Sequence, residues 1–238
     1  MKKDNYLNKI AESKKPFIIY KSNKGFDLFT DFSKKIILSN KNIENFINNS
    51  TKKKINNKET DLYIGFFGYE ILNNLIDVKI KKQKGLKFPK GIFYKPETKK
   101  KLSNKLNYKS TENLESKGTF NVNLNKASYK NIFNKFKKKI KLGETYQIKI
   151  CTKYRKNSQI DALDFFCRLT KSNMAPEAFM INDKDYSIIS CSPENLITKT
   201  KNIISTKPIA GTLKKSKKLN KSKALSFFKK NIKETKEH

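Results

Sequence analysis

Tryptophan is absent from the 238 residues, and histidine occurs once, at the last position, His238. No Ser–His or Cys–His catalytic pair and no histidine-based metal site can be built inside the chain unless His238 takes part. Arginine occurs only at Arg155 and Arg168, so the residue type that reads guanine edges is nearly missing. Acidic residues are scarce: 21 Asp plus Glu stand against 54 Lys plus Arg, a net charge of +33. Such a surplus raises nucleic acid as a partner. The distribution argues against it. Lysine runs from Lys2 to Lys236, interleaved with Asn, Ile and Phe in every segment, without a basic stripe carrying aromatics at stacking intervals. No specific nucleic-acid partner is expected. The three cysteines, Cys151, Cys167 and Cys191, match neither a zinc pattern nor a disulfide framework. Core thiols in a reducing compartment are the default. No apolar run reaches the ~20 residues of a membrane span, and residues 1–15 do not resemble a signal peptide. A soluble cytoplasmic protein without membrane contact is the expectation.

What remains is enough for a packed core: 36% hydrophobic residues, including 17 Phe. Residues 2–13 read as a short helix ending before Pro16. Phe17–Tyr20, Phe26–Phe32 and Lys35–Leu38 read as strands, Asn42–Ile47 as a helix, and Ser50–Thr60 as a polar loop. Asp61-Leu-Tyr-Ile-Gly-Phe-Phe-Gly starts as a strand in which Gly65 and Gly68 permit close backbone packing. Tyr69–Leu75 looks helical, and Phe88–Tyr94 reads as a further strand. Three segments follow: residues 1–96, a polar Lys/Asn/Ser linker or long loop at 97–125, and a region at 126–238. In the last, Ala127–Leu142 carries an apolar stripe of Tyr129, Ile132, Phe133, Phe136 and Ile140, which predicts a helix packed on the core. Thr145–Arg155 alternates and predicts a strand, with Gln147, Lys149, Cys151 and Lys153 on one face. Asp161–Leu169 and residues 216–237 read as helices. The latter stops at Lys-Glu-His without a terminating signal, as an incomplete chain would.

The stretch from Ser190 to Thr212 organises the rest. Short strands at Ala178–Ile181 and Tyr186–Ile189 lead into Ser-Cys-Ser-Pro-Glu. Pro193 cannot donate to a ladder, so the chain turns or sits at an edge there. Glu194 is aimed by that turn. A hairpin is predicted around Lys201-Asn202, and Lys207-Pro-Ile-Ala-Gly-Thr closes the unit. Pro and Gly punctuate loops everywhere, so an ordinary sheet corner explains these residues too. A lone acid beside Pro-Ile-Ala-Gly-Thr at a sheet edge of a very basic chain nonetheless points to a site for a small anion.

Five segments in order, Ile64-Gly-Phe-Phe-Gly-Tyr-Glu, Gly143-Glu-Thr-Tyr-Gln-Ile-Lys-Ile, Ser190-Cys-Ser-Pro-Glu, Lys207-Pro-Ile-Ala-Gly-Thr and Lys233-Glu-Thr-Lys-Glu-His, resemble the chorismate-utilising enzymes. These include component I of anthranilate synthase and of aminodeoxychorismate synthase, with isochorismate and salicylate synthases as relatives. The resemblance covers roughly residues 60–238. It implies an α+β fold, an antiparallel two-sheet sandwich with outer helices, present here as an incomplete first half whose catalytic region starts at 126 and is truncated. It also implies chorismate as substrate, Mg²⁺ as cofactor, and ammonia delivered by a glutamine amidotransferase subunit. Glu194 is then the proton donor or its close electrostatic partner. Glu237 matches a Mg²⁺-holding Glu, and Gly211 and Thr212 match a substrate-binding loop. Gln147 stands where water-adding relatives have a Lys base, which favours ammonia. Ala210 stands where aminodeoxychorismate synthases typically carry a nucleophilic Lys, which points to anthranilate synthase or to an aminodeoxychorismate synthase variant that takes ammonia directly. Lys21 in Ile19-Tyr-Lys-Ser breaks a tryptophan-inhibition motif, and Asn173-Met-Ala-Pro-Glu-Ala-Phe looks closer to the para-aminobenzoate branch. The reading is therefore aminodeoxychorismate synthase component I (folate branch), with anthranilate synthase component I (tryptophan branch) as the alternative. By the resemblance the segments carrying the active-site His, substrate-holding Arg and Tyr, and a second metal-binding Glu are missing, so the chain alone is expected to be inactive. From another class, a non-catalytic basic module or an inactive remnant also fits the composition.

Overall fold

A computed structural model describes residues 6–22, 24–52, 62–71, 76, 89–110, 118–209 and 211–237, with backbone alone for 49–52 and 237. The expectations for residues 2–5, most of the 50–60 loop, residues 72–75, Phe88, Ala210 and His238 lie outside the described residues. The chain forms two compact units, residues 1–107 with 166–238, and residues 108–165. Among the described residues no helix is long and apolar enough to cross a membrane.

The first unit is built on a six-stranded antiparallel sheet. Its strands are β1 (Phe17–Ser22), β2 (Gly25–Ile37), β3 (Ile64–Phe67), β4 (Gly91–Leu102), β7 (Glu177–Asn182) and β8 (Ser187–Ser192), in the order β3-β4-β2-β1-β7-β8. Helix α1 (Tyr6–Ser13) precedes β1, α2 (Ile43–Lys52) follows β2, and a single 3-10 turn spans Tyr69–Ile71. The α+β expectation is met by antiparallel sheets with helices. Two expected strands at 26–32 and 35–38 are one strand. A register shift between Phe32 and Lys34 leaves Ser33 as the extra residue of a bulge, which bends the ladder without ending it. β4 runs on to Leu102, through the first six positions of the expected polar linker. Its lysines pair with β2, since Lys99 faces Phe29 and Lys101 faces Asp27, so polar side chains on an exposed face do not prevent pairing. Gly65 earns its place in β3: a Cβ there would come within 2.7 Å of the Phe93 Cα.

Apolar side chains Ile18, Phe29, Ile92, Tyr94 and Ile181 form one buried cluster, packed by Phe32, Phe66 and Ile188. Leu38, Ile43 and Ile71 form another. Phe166, fully buried, meets Phe26 edge to face at 6.0 Å.

A polar group is set into the first cluster. Asp183 Oδ2 accepts from the Tyr94 and Tyr186 hydroxyls and from Lys35 Nζ at 2.6 Å, while Oδ1 accepts from Lys184 N at 2.7 Å. Burial acts to raise the Asp183 carboxyl, but the hydrogen bonds from Lys35, Tyr94 and Lys184 outweigh it and hold it at about 2. Burial, with the bond to Asp183, pushes the Tyr94 hydroxyl up. A carboxyl depressed on folding stabilises the fold fully above its ordinary value and loses that contribution as pH falls through the folded value. Thermal unfolding is therefore expected to shift downward between pH ~4 and ~2, and Asp183→Asn should flatten that part of the profile. A wild-type fall unchanged by the substitution would assign it to other carboxylates.

The second unit holds helix α3 (Lys126–Lys141) and a two-stranded ribbon of β5 (Asn121–Val122) and β6 (Tyr154–Arg155). Asn125 caps α3 by accepting from Ser128 N at 2.8 Å, the usual N-cap bond. The stripe expected to be core is not: Tyr129, Phe133 and Ile140 are exposed and no α3 residue is buried. The strand expected over 145–155 shrinks to Tyr154–Arg155. Its alternation survives, with Ile148, Ile150 and Thr152 half-buried and their neighbours exposed. Alternation favours an extended chain, but a strand also needs a partner ladder. Only Asn121 and Val122 supply one here among the described residues.

Helix α4 (Ala162–Ser172) leads to β7. After β8 come the hairpin β9 (Asn195–Thr200) and β10 (Ile203–Lys207), then α5 (Lys221–Lys230) and α6 (Ile232–Glu237). The single helix expected over 216–237 is two. Asn220 caps α5 through Lys223 N at 2.9 Å. Asn231, with extended backbone, accepts from Lys233 N and Glu234 N and restarts the chain as α6.

Candidate active site

β8 is an edge of the six-stranded sheet and ends at Ser192. Pro193, lacking an N–H, breaks the strand. Ser192 Oγ accepts from Glu194 N at 3.3 Å and donates to Glu194 O at 2.9 Å, closing a tight corner. The chain re-enters as β9 at Asn195. The expected hairpin forms around Lys201-Asn202, with Lys201 at φ 53 and Thr200 paired to Ile203. Near its far end the register shifts between Ser205 and Lys207, and Lys207 pairs with Asn195. That pairing returns Pro208 and Ile209 to the corner. Ile209 N donates to Glu194 Oε1 at 3.2 Å.

Gly211 has φ +67, in the left-handed region open to glycine. A Cβ there would run into the Glu234 carboxylate, 2.9 Å from Oε1 and nearer still to Oε2. Glu234 Oε2 is buried and has no hydrogen-bond partner. The loop after β10 thus lies between two acids, Glu194 at Ile209 and Glu234 at Gly211.

Of the residues singled out in the sequence, Glu194 and Gly211 belong to this loop region. Thr212 is exposed beside Gly211. Glu237 is the last residue of α6, three positions after Glu234. Ala210 lies outside the described residues. Gln147 is exposed in the second unit, its carbonyl accepting from the Thr145 hydroxyl at 3.3 Å. The residue overlooked was Glu234. Its signal was present, since Glu234 and Glu237 stand three apart in one motif, the spacing of a single helix face. Also overlooked was Glu177, which accepts from the Tyr20 hydroxyl at 2.8 Å and from Asn195 Nδ2 at 3.1 Å. Burial, then the bond to Glu177, pushes the Tyr20 hydroxyl up to about 12. Cys191 is half-buried, and burial raises its thiol while Lys21 acts to lower it.

A buried carboxylate oxygen without a donor is a costly arrangement unless a cation or a proton meets it. Oxygen from a carboxylate is the donor a hard divalent cation takes. The site therefore offers an exposed acid at Ile209 and, at Gly211, a buried carboxylate oxygen suited to a cation.

The chain is 30% identical over 190 residues to anthranilate synthase component 1 of Buchnera aphidicola subsp. Pemphigus spyrothecae, covering 64% of this chain and 36% of that protein. It is 32% identical over 109 residues to the same component of Saccharomyces cerevisiae, covering 45% of this chain and 22% of the relative. It is 26% identical over 112 residues to aminodeoxychorismate synthase component 1 of Bacillus subtilis, covering 47% and 24%. The matches thus span well under two thirds of the relatives' own length. The family model of chorismate binding enzymes matches residues 8–238, nearly the whole chain, and the chain belongs to that family.

Proposed function

We propose that this chain provides the acid-bearing part of component I of an aminodeoxychorismate synthase, which aminates chorismate with ammonia in a Mg²⁺-dependent reaction. The observation that supports the reading is the Ile209 N–H to Glu194 bond, which ties the acid to the segment that leaves β10. Glu194 protonates the departing C4 hydroxyl oxygen of chorismate. Ile209 N–H holds one carboxylate oxygen, which leaves the other for the substrate. Gly211 and Thr212 offer backbone and hydroxyl bonds to the substrate. The family implies Mg²⁺, and the orphaned Glu234 oxygen fits it. Glu234 and Glu237 would hold the ion, which neutralises a substrate carboxylate when bound. Gln147, a neutral amide, does not activate water, which favours ammonia over water as the nucleophile. The nitrogen comes from an amidotransferase subunit.

Anthranilate synthase component I is the second reading, favoured by Ala210. Calorimetric titration with chorismate of the chain joined by a polypeptide completing the relatives' length should show binding in the presence of Mg²⁺ and at least about tenfold weaker binding after chelation. Absence of binding with Mg²⁺ present would overturn the reading. Supplied with ammonium and with a polypeptide completing the relatives' length, the chain should turn chorismate into aminodeoxychorismate. The fluorescence of anthranilate would instead establish the second product.

A further inference from the structure

We propose that Glu177 is a positioning residue for Glu194, acting through Asn195. The inference rests on the reading of Glu194 as the site's acid and deepens it. Glu177 opens β7 opposite Ser192, the last residue of β8, so it stands beside the Ser192–Pro193–Glu194 corner. Its Oε2 is fixed by the Tyr20 hydroxyl on β1, and its Oε1 takes the amide of Asn195, the first residue of β9. The Asn195 amide is oriented from its other side, because Oδ1 accepts the Thr198 hydroxyl at 3.1 Å. One carboxylate therefore ties β1, β7 and β9 together at Asn195, the residue that follows the Pro193–Glu194 corner.

The corner needs such a tie. Pro193 and Glu194 are exposed, so apolar packing does not hold them. An exposed carboxylate keeps several rotamers, and a proton donor a fraction of an ångström out of place loses much of its effect. Hydrogen bonds from the half-buried Glu177–Asn195 pair fix the backbone from which Glu194 projects. Asn195 also pairs with Lys207, so the same tie sets where the β10 end delivers Ile209 to Glu194.

The pair has a polarity that can be reversed. Asn195→Asp would set two carboxylates against each other. Glu177→Gln together with Asn195→Asp would restore the bond, the new amide donating to the new carboxylate while its oxygen still accepts from Tyr20. In the full chain, amide exchange of Ile209 measured by NMR reports the Glu194 contact without requiring substrate. Glu177→Ala and Asn195→Asp are each expected to speed that exchange roughly tenfold while Ile181 and Met180 in β7 stay unchanged. The double variant should return to within about twofold of the starting rate. In the turnover assay the single variants should lower kcat with little change in KM, and the double variant should recover. Unchanged Ile209 exchange in both single variants, or a double variant no better than Asn195→Asp, would overturn the proposal. So would equal acceleration throughout β7, which marks a merely structural staple. If exchange behaves as expected but chorismate does not bind, the positioning role stands and the chorismate reading falls.

Discussion

Replacing Glu194 with Gln should leave Mg²⁺-dependent chorismate binding within about twofold and cut amination about a thousandfold, the scale of losing a positioned acid. The substitution is chosen because it preserves shape. The amide oxygen can still accept the Ile209 N–H that the carboxylate accepts at 3.2 Å, so the loop after β10 keeps its anchor. Only the transferable proton is lost. Glu194→Ala removes the anchor as well and should weaken binding in addition. Chorismate affinity and turnover measured in parallel separate the two. A Glu194→Gln protein that turns over normally would mean that the proton comes from elsewhere.

Gly211→Ala should disturb the candidate cation site with a single methyl group. Two costs add. At φ +67 a side chain is strained by about 1–2 kcal/mol, and the methyl has no room, because the Glu234 carboxylate already fills its place. The Glu234 carboxylate must swing out of its place. Mg²⁺-dependent chorismate binding is expected to fall more than about tenfold, and thermal stability to drop by a few degrees. Gly211→Ala combined with Glu234→Ala should recover part of the stability, since the collision is gone while the strain at φ +67 stays, but not the Mg²⁺ dependence. Recovery of both would show that Glu234 matters for packing alone.

How much of this was legible follows from which physics each segment obeys. The 190–207 region was readable because its signals are local. Pro193 ends a ladder by lacking a donor, Lys201-Asn202 supplies a turn, and apolar runs on either side supply strands, so the corner and hairpin fall where expected. The bond from Ile209 to Glu194 was not readable. It depends on where the register shift sits in β10, which no pattern of side chains records. Thr145–Arg155 failed for a different reason. Its alternation is real, yet strand formation is a property of pairs of segments, and Tyr146 ends up 91% exposed beside an unpaired backbone. Asn231 was misread because Asn within a helical pattern carries a modest propensity cost, whereas as a cap it starts a new helix. That break moves Glu234 to Gly211. The Asp183 cluster was invisible to any local reading, since Lys35, Tyr94 and Asp183 are far apart in sequence and meet only through the strand order β4-β2-β1-β7.

The irregularity between Ser205 and Lys207 sets a phase. Side chains and backbone groups reverse direction at each step along a strand. Inserting one residue beside Thr206 in β10, opposite Leu196 and Ile197 of β9, would even the ladder and rotate everything downstream by half a cycle. The amide now turned toward Glu194 would turn away, and the carbonyl of its neighbour would take its place, an acceptor facing an acceptor. A change that removes no charged group and opens no void would thus silence the acid through parity alone.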